Sequence, residues 1–438
     1  MKLYEWKTLD SAERQALLDR PVLRQQPDLR EGARRILERV RRDGDAALLA
    51  LTAELDGVSL DSLRVSSREL DAAQAALSEK QKRSIQTAAA NIERFHKAQL
   101  PATVSIDTAP GVRCERLTRP IRSVGLYVPA GSAPLPSTAL MLAIPARLAG
   151  CRTRILCSPP QRDGRADPAV LYAASLCGVD QVFKLGGAQA IAAMAYGTES
   201  VPKVDKLFGP GNAWVTAAKA LAAEDPGGAA RDLPAGPSEV MVVADDHAEA
   251  AFVSADLLSQ AEHGPDSQVL LVTTSKGIAD ATAHELQRQK SVLGRRDIVE
   301  QALQHSAAIV VDDLETAISI ANRYAPEHLI LQIDAPRRWL DRIDAAGSIF
   351  LGPWAPESVG DYCSGTNHVL PTYGFARSYS SLGVGDFLRS MTVQELTPEG
   401  LQNIGPVAED LAGLEGLEAH AAAVRCRLEA LGREGRNR

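Results

Sequence analysis

Three polar stretches of this chain carry residue types that hold metals or move protons. The first is Ser259-Gln260-Ala261-Glu262-His263-Gly264-Pro265-Asp266, at the end of a helical pattern running from Ala248 to Ala261. Proline cannot continue a helix, so Gly264-Pro265 must close it. Gln260 and His263 are three apart and share a helical face. An amide oxygen and a neutral imidazole leaving a helix C-terminus together form half of a metal site, where the macrodipole also favours a cation. A polar helix end whose histidine merely caps carbonyls explains the same octapeptide. The second stretch is Pro326-Glu327-His328. An adjacent carboxylate and imidazole suit proton relay, one activating water while the other shuttles the proton. Successive strand residues face opposite sides, so the two serve one site only if they lie in the turn before Leu329. Otherwise they form an exposed polar turn.

The third stretch, Gly352 to Thr372, reads GPWAPESVGDYCSGTNHVLPT and predicts a long loop beyond a strand. Such loops are usually functional or disordered, and the aromatics, Val and Leu here argue against disorder. Asp361 is a candidate carboxylate ligand and His368 an imidazole for substrate or metal. Cys363 competes, although a thiolate among N and O partners is the rarer combination. His420 lies beside apolar residues and is read either as a packing residue or as a ligand. Glu415 and His420 are five apart and share no helix face unless Gly416 precedes the first full turn. His96, His247, His284 and His305 have no such company and are read as structural. Two glycine turns, Lys184-Leu-Gly186-Gly187-Ala-Gln189 and Phe208-Gly209-Pro210-Gly211-Asn212, each stand between a strand and a helix. They are either phosphate cradles at helix N-termini or plain tight turns. No G-x-G-x-x-G follows a strand.

The elements that must position these groups are those of an α/β enzyme. The 438 residues allow two or three domains, 45% are hydrophobic, and the net charge of −7 points away from nucleic acid or an anionic membrane. Six scattered cysteines without a C-x-x-C pair argue against a thiolate zinc knuckle or a disulfide framework and fit a reducing cytoplasm. Apolarity around Ala139 to Ile144 is too short to span a membrane, and the N-terminus lacks a secretory h-region. Residues 28 to 99 are predicted helical, with a capping box at Ser78-Glu-Lys-Gln81. Short apolar runs then alternate with helical patterns: Ile121–Val128, Arg154–Cys157, Gln181–Leu185, Lys206–Phe208, Glu239–Ala244, Gln268–Thr273, Ala307–Val311, Leu329–Ile333 and Ser348–Leu351. That alternation predicts parallel sheet, and so many strands predict two successive α/β domains. Pro234-Ala-Gly-Pro237 punctuates the middle. The tail from 382 is read as one final helix with Leu414, Leu417, Ala421, Val424 and Leu428 on a stripe, too small for its own core.

Several long motifs occur together: GLYVPAGSAPLPST, KLGGAQAIAAMAYGT, DKLFGPGNAWV, DLPAGPSEVMV, LLSQAEHGPDSQV, YAPEHLI, GDYCSGTNHVLPTYG and EGLEAH. In these the chain resembles the histidinol dehydrogenase family over nearly its whole length. The resemblance implies zinc-dependent, NAD-linked oxidation of L-histidinol to L-histidine through histidinaldehyde. It implies Gln260, His263, Asp361 and His420 as zinc ligands, Glu327 as the group that activates water, and His328 as general acid/base. Ser238, His368 and Glu415 match substrate-contacting positions, and Tyr127, Gln189 and Asn212 match NAD-contacting ones. The fold implied is two incomplete Rossmann-like domains with small terminal helical appendages exchanged across a homodimer with shared active sites. On that basis the expected division is an appendage at 1–25, a substrate and zinc domain from 26–120 with 239–381, an NAD domain at 121–238, and a tail at 382–438. A zinc hydrolase and a non-catalytic metal-binding relative are the competing classes.

Overall fold

The computed structural model describes residues 1–20, 27–130, 133–179, 181–234 and 236–434. Pro21 and the rest of 21–25 in the expected appendage, Gly131 and Ser132 of the GLYVPAGS motif, and Ala235 of the PAGP turn lie outside the described residues. In chain order the strands are β1 (Lys2–Glu5), β2 (Val104–Ala109), β3 (Val112–Pro120), β4 (Ser123–Tyr127), β5 (Thr153–Ser158), β6 (Gln181–Lys184), β7 (Lys206–Phe208), β8 (Ala230–Arg231), β9 (Glu239–Ala244), β10 (Gln268–Thr273), β11 (Ala307–Val310), β12 (His328–Gln332), β13 (Ser348–Leu351) and β14 (Leu388–Leu396).

Two parallel sheets organise the larger unit, residues 1–99 and 121–387. One has the order β1-β11-β10-β9-β12-β13, the other β6-β5-β4-β7-β8. All nine predicted strands are found, which confirms the α/β class. Every residue of β9, β10 and β12 is buried, as strands covered on both faces must be. Each sheet reverses direction at an inner strand. From β9 the chain passes to β10 and β11 on one side and to β12 and β13 on the other. From β4 it passes to β5 and β6, then to β7 and β8.

Three expectations need correction. Residues 2–5 are not an appendage: β1 extends the first sheet, pairing Lys2 with Ala307 in parallel. The helices Pro27–Leu51, Ser67–Ala76 and Glu79–Lys97 were expected to belong with 239–381. They pack instead on the helices Pro136–Ala149, Pro168–Leu176, Gly187–Tyr196 and Ala213–Glu224 that cover the second sheet. Their amphipathic faces specify burial but not which sheet provides it. Finally, the tail is not helix alone. In the second unit, residues 100–120 with 388–438, β14 joins β3 and β2 in an antiparallel sheet. Two helices follow, Pro398–Leu414 and Glu418–Glu434, so the expected single stripe is divided and Leu414 ends the first of them, 85% exposed.

The helix Ala250–Ala261 is docked on the first sheet by apolar residues and by Asp256, whose carboxylate accepts from Gln332 Nε2 at 3.0 Å. Burial pushes this carboxyl up to about 6, the Gln332 bond offsetting part of the shift. A raised acid binds its proton more tightly in the folded state. Stability from this group is therefore present below the ordinary value of 3.8 and is lost as pH rises through about 6. In zinc-stripped protein, Asp256→Asn should gain on the parent by about 2–3 kcal/mol between pH 4 and pH 6.5. Urea unfolding at the two pH values measures this, and a pH-independent gap would refute it.

Candidate active site

Gln260 sits in the last turn of the helix Ala250–Ala261, and His263 follows its C-cap, Glu262. The His263 N–H donates to the Gln260 carbonyl at 3.3 Å, so the final turn carries both side chains to one wall. Gln260, His263, Glu327, His328, Asp361, His368 and Ser238 all line one cavity of about 140 Å³. Gln260 is almost fully buried, while His263 is exposed toward the opening.

Ligand atoms of His263, Glu357 and Asp361 lie within 4.8 Å of one another, a separation that fits one metal ion held by N and O donors. Gln260 adjoins them: with its amide oriented to satisfy its neighbours, the nitrogen donates to Glu357 Oε2 at 2.9 Å. Glu357 is the residue that sequence reasoning missed. The stretch 352–372 was expected to be free of secondary structure, but it contains the helix Glu357–Tyr362. Glu357 and Asp361 are four apart, which puts both carboxylates on one face of it. That spacing was the available signal, and APES read as loop obscured it. Cys363 is outside the cluster; its peptide carbonyl accepts from Asn91.

The condition set on Glu327 and His328 holds for Glu327 alone, since His328 opens the strand, yet both side chains line the one cavity. The helix Leu314–Tyr324 ends in Ala325 at φ 53°, and β12 begins at His328, so Glu327 lies in the turn. Glu327 Oε2 accepts the Glu239 N–H at 2.8 Å. His328 Nδ1 lies 3.1 Å from the Glu239 carbonyl, which can only accept, so Nδ1 carries the proton. His328 Nε2 is buried without a hydrogen bond, 3.3 Å from Asp361 Oδ1. Burial pushes Glu327 up to about 8, with His328 and the Glu239 N–H offsetting part of the shift. Burial alone would lower His328, but the carboxylates of Glu357, Glu327 and Asp361 raise it to about 10. Asp361 is pushed up by burial yet held below the ordinary range by His328, His368 and His263. The His368 Nδ1–H donates to the Asp361 carbonyl at 2.7 Å, and Thr138 Oγ1 lies 3.0 Å from Nε2.

A larger cleft of about 920 Å³ runs from Tyr127, Gln189 and Asn212 to Ser238 and His263. Tyr127 Oη accepts the Gly187 N–H at 3.0 Å, and burial raises its hydroxyl to about 12. Gln189 Nε2 donates to Asp56 at 3.3 Å. Asn212 caps the helix Ala213–Glu224, accepting from the N–H groups of Trp214 and Val215 at 3.1 Å. Tyr127 and Asn212 thus accept from N–H groups at the starts of the two helices. Each glycine turn joins a strand to the start of a helix. Gly209 is required in its turn: at φ 122° a Cβ would lie 2.1 Å from the Tyr127 carbonyl oxygen.

Glu415 and His420 belong to the second unit and are exposed within it. Gly416, at φ 71°, separates the helix that Glu415 caps from the one that begins at Glu418. The condition set on Gly416 therefore holds.

Two parallel sheets, a buried Glu–His pair and an adjoining cluster of N and O donors beside a long cleft define an α/β protein with a candidate metal-competent site. A family model described as histidinol dehydrogenase matches residues 19–428. Similar proteins include "Histidinol dehydrogenase" of Vibrio parahaemolyticus, 54% identical and covering 98% of this chain and 99% of its own. That of Xanthomonas euvesicatoria is 56% identical over 98% and 99%. The crystal structure of histidinol dehydrogenase from Elizabethkingia anophelis matches with a TM-score of 0.95 at 48% identity, covering 99% of each chain. The chain belongs to the histidinol dehydrogenase family, a family of oxidoreductases.

Proposed function

We propose that this protein oxidises L-histidinol to L-histidine in two NAD-linked steps through histidinaldehyde, with one zinc ion per site. The carrying observation is the convergence of Glu327 and His328 with Gln260, His263 and Asp361 in one cavity beside the Tyr127–Gln189–Asn212 cleft. The donor set fits zinc, with the imidazole and carboxylates close enough for one ion and no thiolate among them. Gln260, His263 and Asp361 would hold it, with His420 as the fourth ligand. When bound, zinc supplies an anchor for the substrate's amine and imidazole, and NAD supplies the hydride acceptor.

The chain's own residues do the proton work. His328 is fixed with Nδ1 as donor, so Nε2 is the atom available to take the alcohol proton as hydride leaves carbon. Asp361, were it to hold a cation, would raise His328 less and leave its imidazole nearer the neutral form. In the second step Glu327 takes a proton from the water that attacks the aldehyde, and a second hydride leaves the hydrate. Ser238, His368 and Glu415 orient the substrate, and burial of the pair keeps competing water out. Each histidinol should therefore yield two NADH. Titration against limiting histidinol measures this directly, and a ratio near one with free aldehyde accumulating would count against the reading.

A homodimer with shared sites is proposed on the same footing. Ile404, Val407, Leu411 and Leu414 form an exposed apolar stripe at helical spacing on Pro398–Leu414, in the unit that carries Glu415 and His420. Exchange of such an element between copies is a low-cost route to a symmetric dimer. Among the described residues no helix is long and apolar enough to cross a membrane, and all six cysteines are free, which supports a cytoplasmic setting. Co-refolding His263→Ala with His420→Ala should restore roughly one quarter of sites, because in a mixed dimer one site receives both lesions and the other none. Verified heterodimers without activity would mean that the tail acts within its own subunit.

A further inference from the structure

The backbone of Glu239 is the shared partner of Glu327, through its N–H, and of His328, through its carbonyl, and the Glu239 side chain is itself held. The Arg20 guanidinium grips its carboxylate with two bonds, Nε to Oε1 and Nη2 to Oε2, the latter at 2.9 Å. The two side chains are only 12% and 2% exposed. The same Nη2 donates to the carbonyls of Tyr324 at 2.8 Å and Ala325 at 3.3 Å. Those carbonyls belong to the left-handed turn that delivers Glu327 and His328 into the cavity. The guanidinium also lies over the Tyr324 ring, 3.9 Å from its centroid. Glu239 Oε1 accepts the Tyr373 N–H at 2.9 Å, tying in the stretch that carries His368. One cation thus fastens both backbone segments that set the pair: the start of β9 and the turn before β12.

We propose that Arg20 is a positioning residue for the Glu327–His328 pair, acting through Glu239; this rests on the assignment of that pair as the acid–base groups. Only a planar fork reaches a carboxylate bidentately and two carbonyls beside it; an ammonium neutralises the charge but cannot span these acceptors. Arg20 itself touches none of Gln260, His263 or Asp361, and the link from Glu239 to a ligand residue is its N–H, 3.3 Å from the Gln260 amide oxygen. A buried ion pair could also serve stability alone, and the two roles differ in what they move.

Arg20→Lys separates them, measured as zinc-loaded enzyme with zinc content, thermal midpoint, and kcat and KM for histidinol. The expected result is parent-like zinc content and KM with kcat reduced roughly ten- to hundredfold, the scale of a small misplacement of reacting groups. Parent-like kcat, or a loss only proportional to zinc or folded fraction, would overturn the proposal. Arg20→Met should behave similarly but more severely where it folds. Glu327→Gln is run alongside. If it leaves turnover intact, the acid–base assignment fails; if it abolishes turnover while Arg20→Lys does not, the role given to Arg20 fails.

Discussion

The site depends on the backbone N–H and carbonyl of one residue, Glu239, at the start of a strand. β9 lies between β10 and β12, and its ladder with β12 begins at Val240, opposite His328. The N–H and carbonyl of Glu239 therefore precede that ladder. Buried peptide groups need partners, and here Glu327 and His328 supply them. The consequence is chemical as well as structural. A carbonyl on Nδ1 dictates the imidazole tautomer, and an N–H on Glu327 stabilises the charge that burial opposes. Position and protonation state are set by the two amide groups that flank the Glu239 Cα.

The two sheets divide the labour differently from a single nucleotide fold. In open α/β sheets ligands usually bind beyond the carboxyl ends of strands at a reversal of strand order. On the second sheet the cleft lies at those ends, since Tyr127 ends β4 and the glycine turns follow β6 and β7. The first sheet contributes its amino ends: Ser238 and Glu239 at β9, and Glu327 and His328 at β12. The cleft joining Tyr127 to His263 is where these opposite ends meet.

Much of this was legible in the sequence because buried parallel strands and ligand chemistry leave local marks. β9 and β10 show their full lengths as apolar runs, and Ser78 and Gln81 spell out a capping box that the structure contains. Gln260, His263, Asp361, His368 and the Glu327–His328 pair stood out by type and spacing, and the structure gathers them in one cavity. What could not be read depends on distant partners. β14 is largely exposed, with its few apolar residues interrupted by polar ones, and its neighbour β3 lies hundreds of residues upstream, so no local apolar run announced it. Glu357 looked like one loop carboxylate among many until a short helix turned it beside Asp361. Arg20 had no mark at all, because its value lies in contacts made across 219 residues.

The central claim is that Glu327 and His328, held by the Glu239 backbone, perform the water-dependent second oxidation. Supplying histidinaldehyde directly to zinc-loaded Glu327→Gln tests it most closely, because the same bound aldehyde can be reduced with NADH or oxidised with NAD. The account predicts that the variant still reduces the aldehyde to histidinol while oxidation to histidine falls by about 10²–10⁴. Equal loss in both directions, or undiminished oxidation, would contradict it.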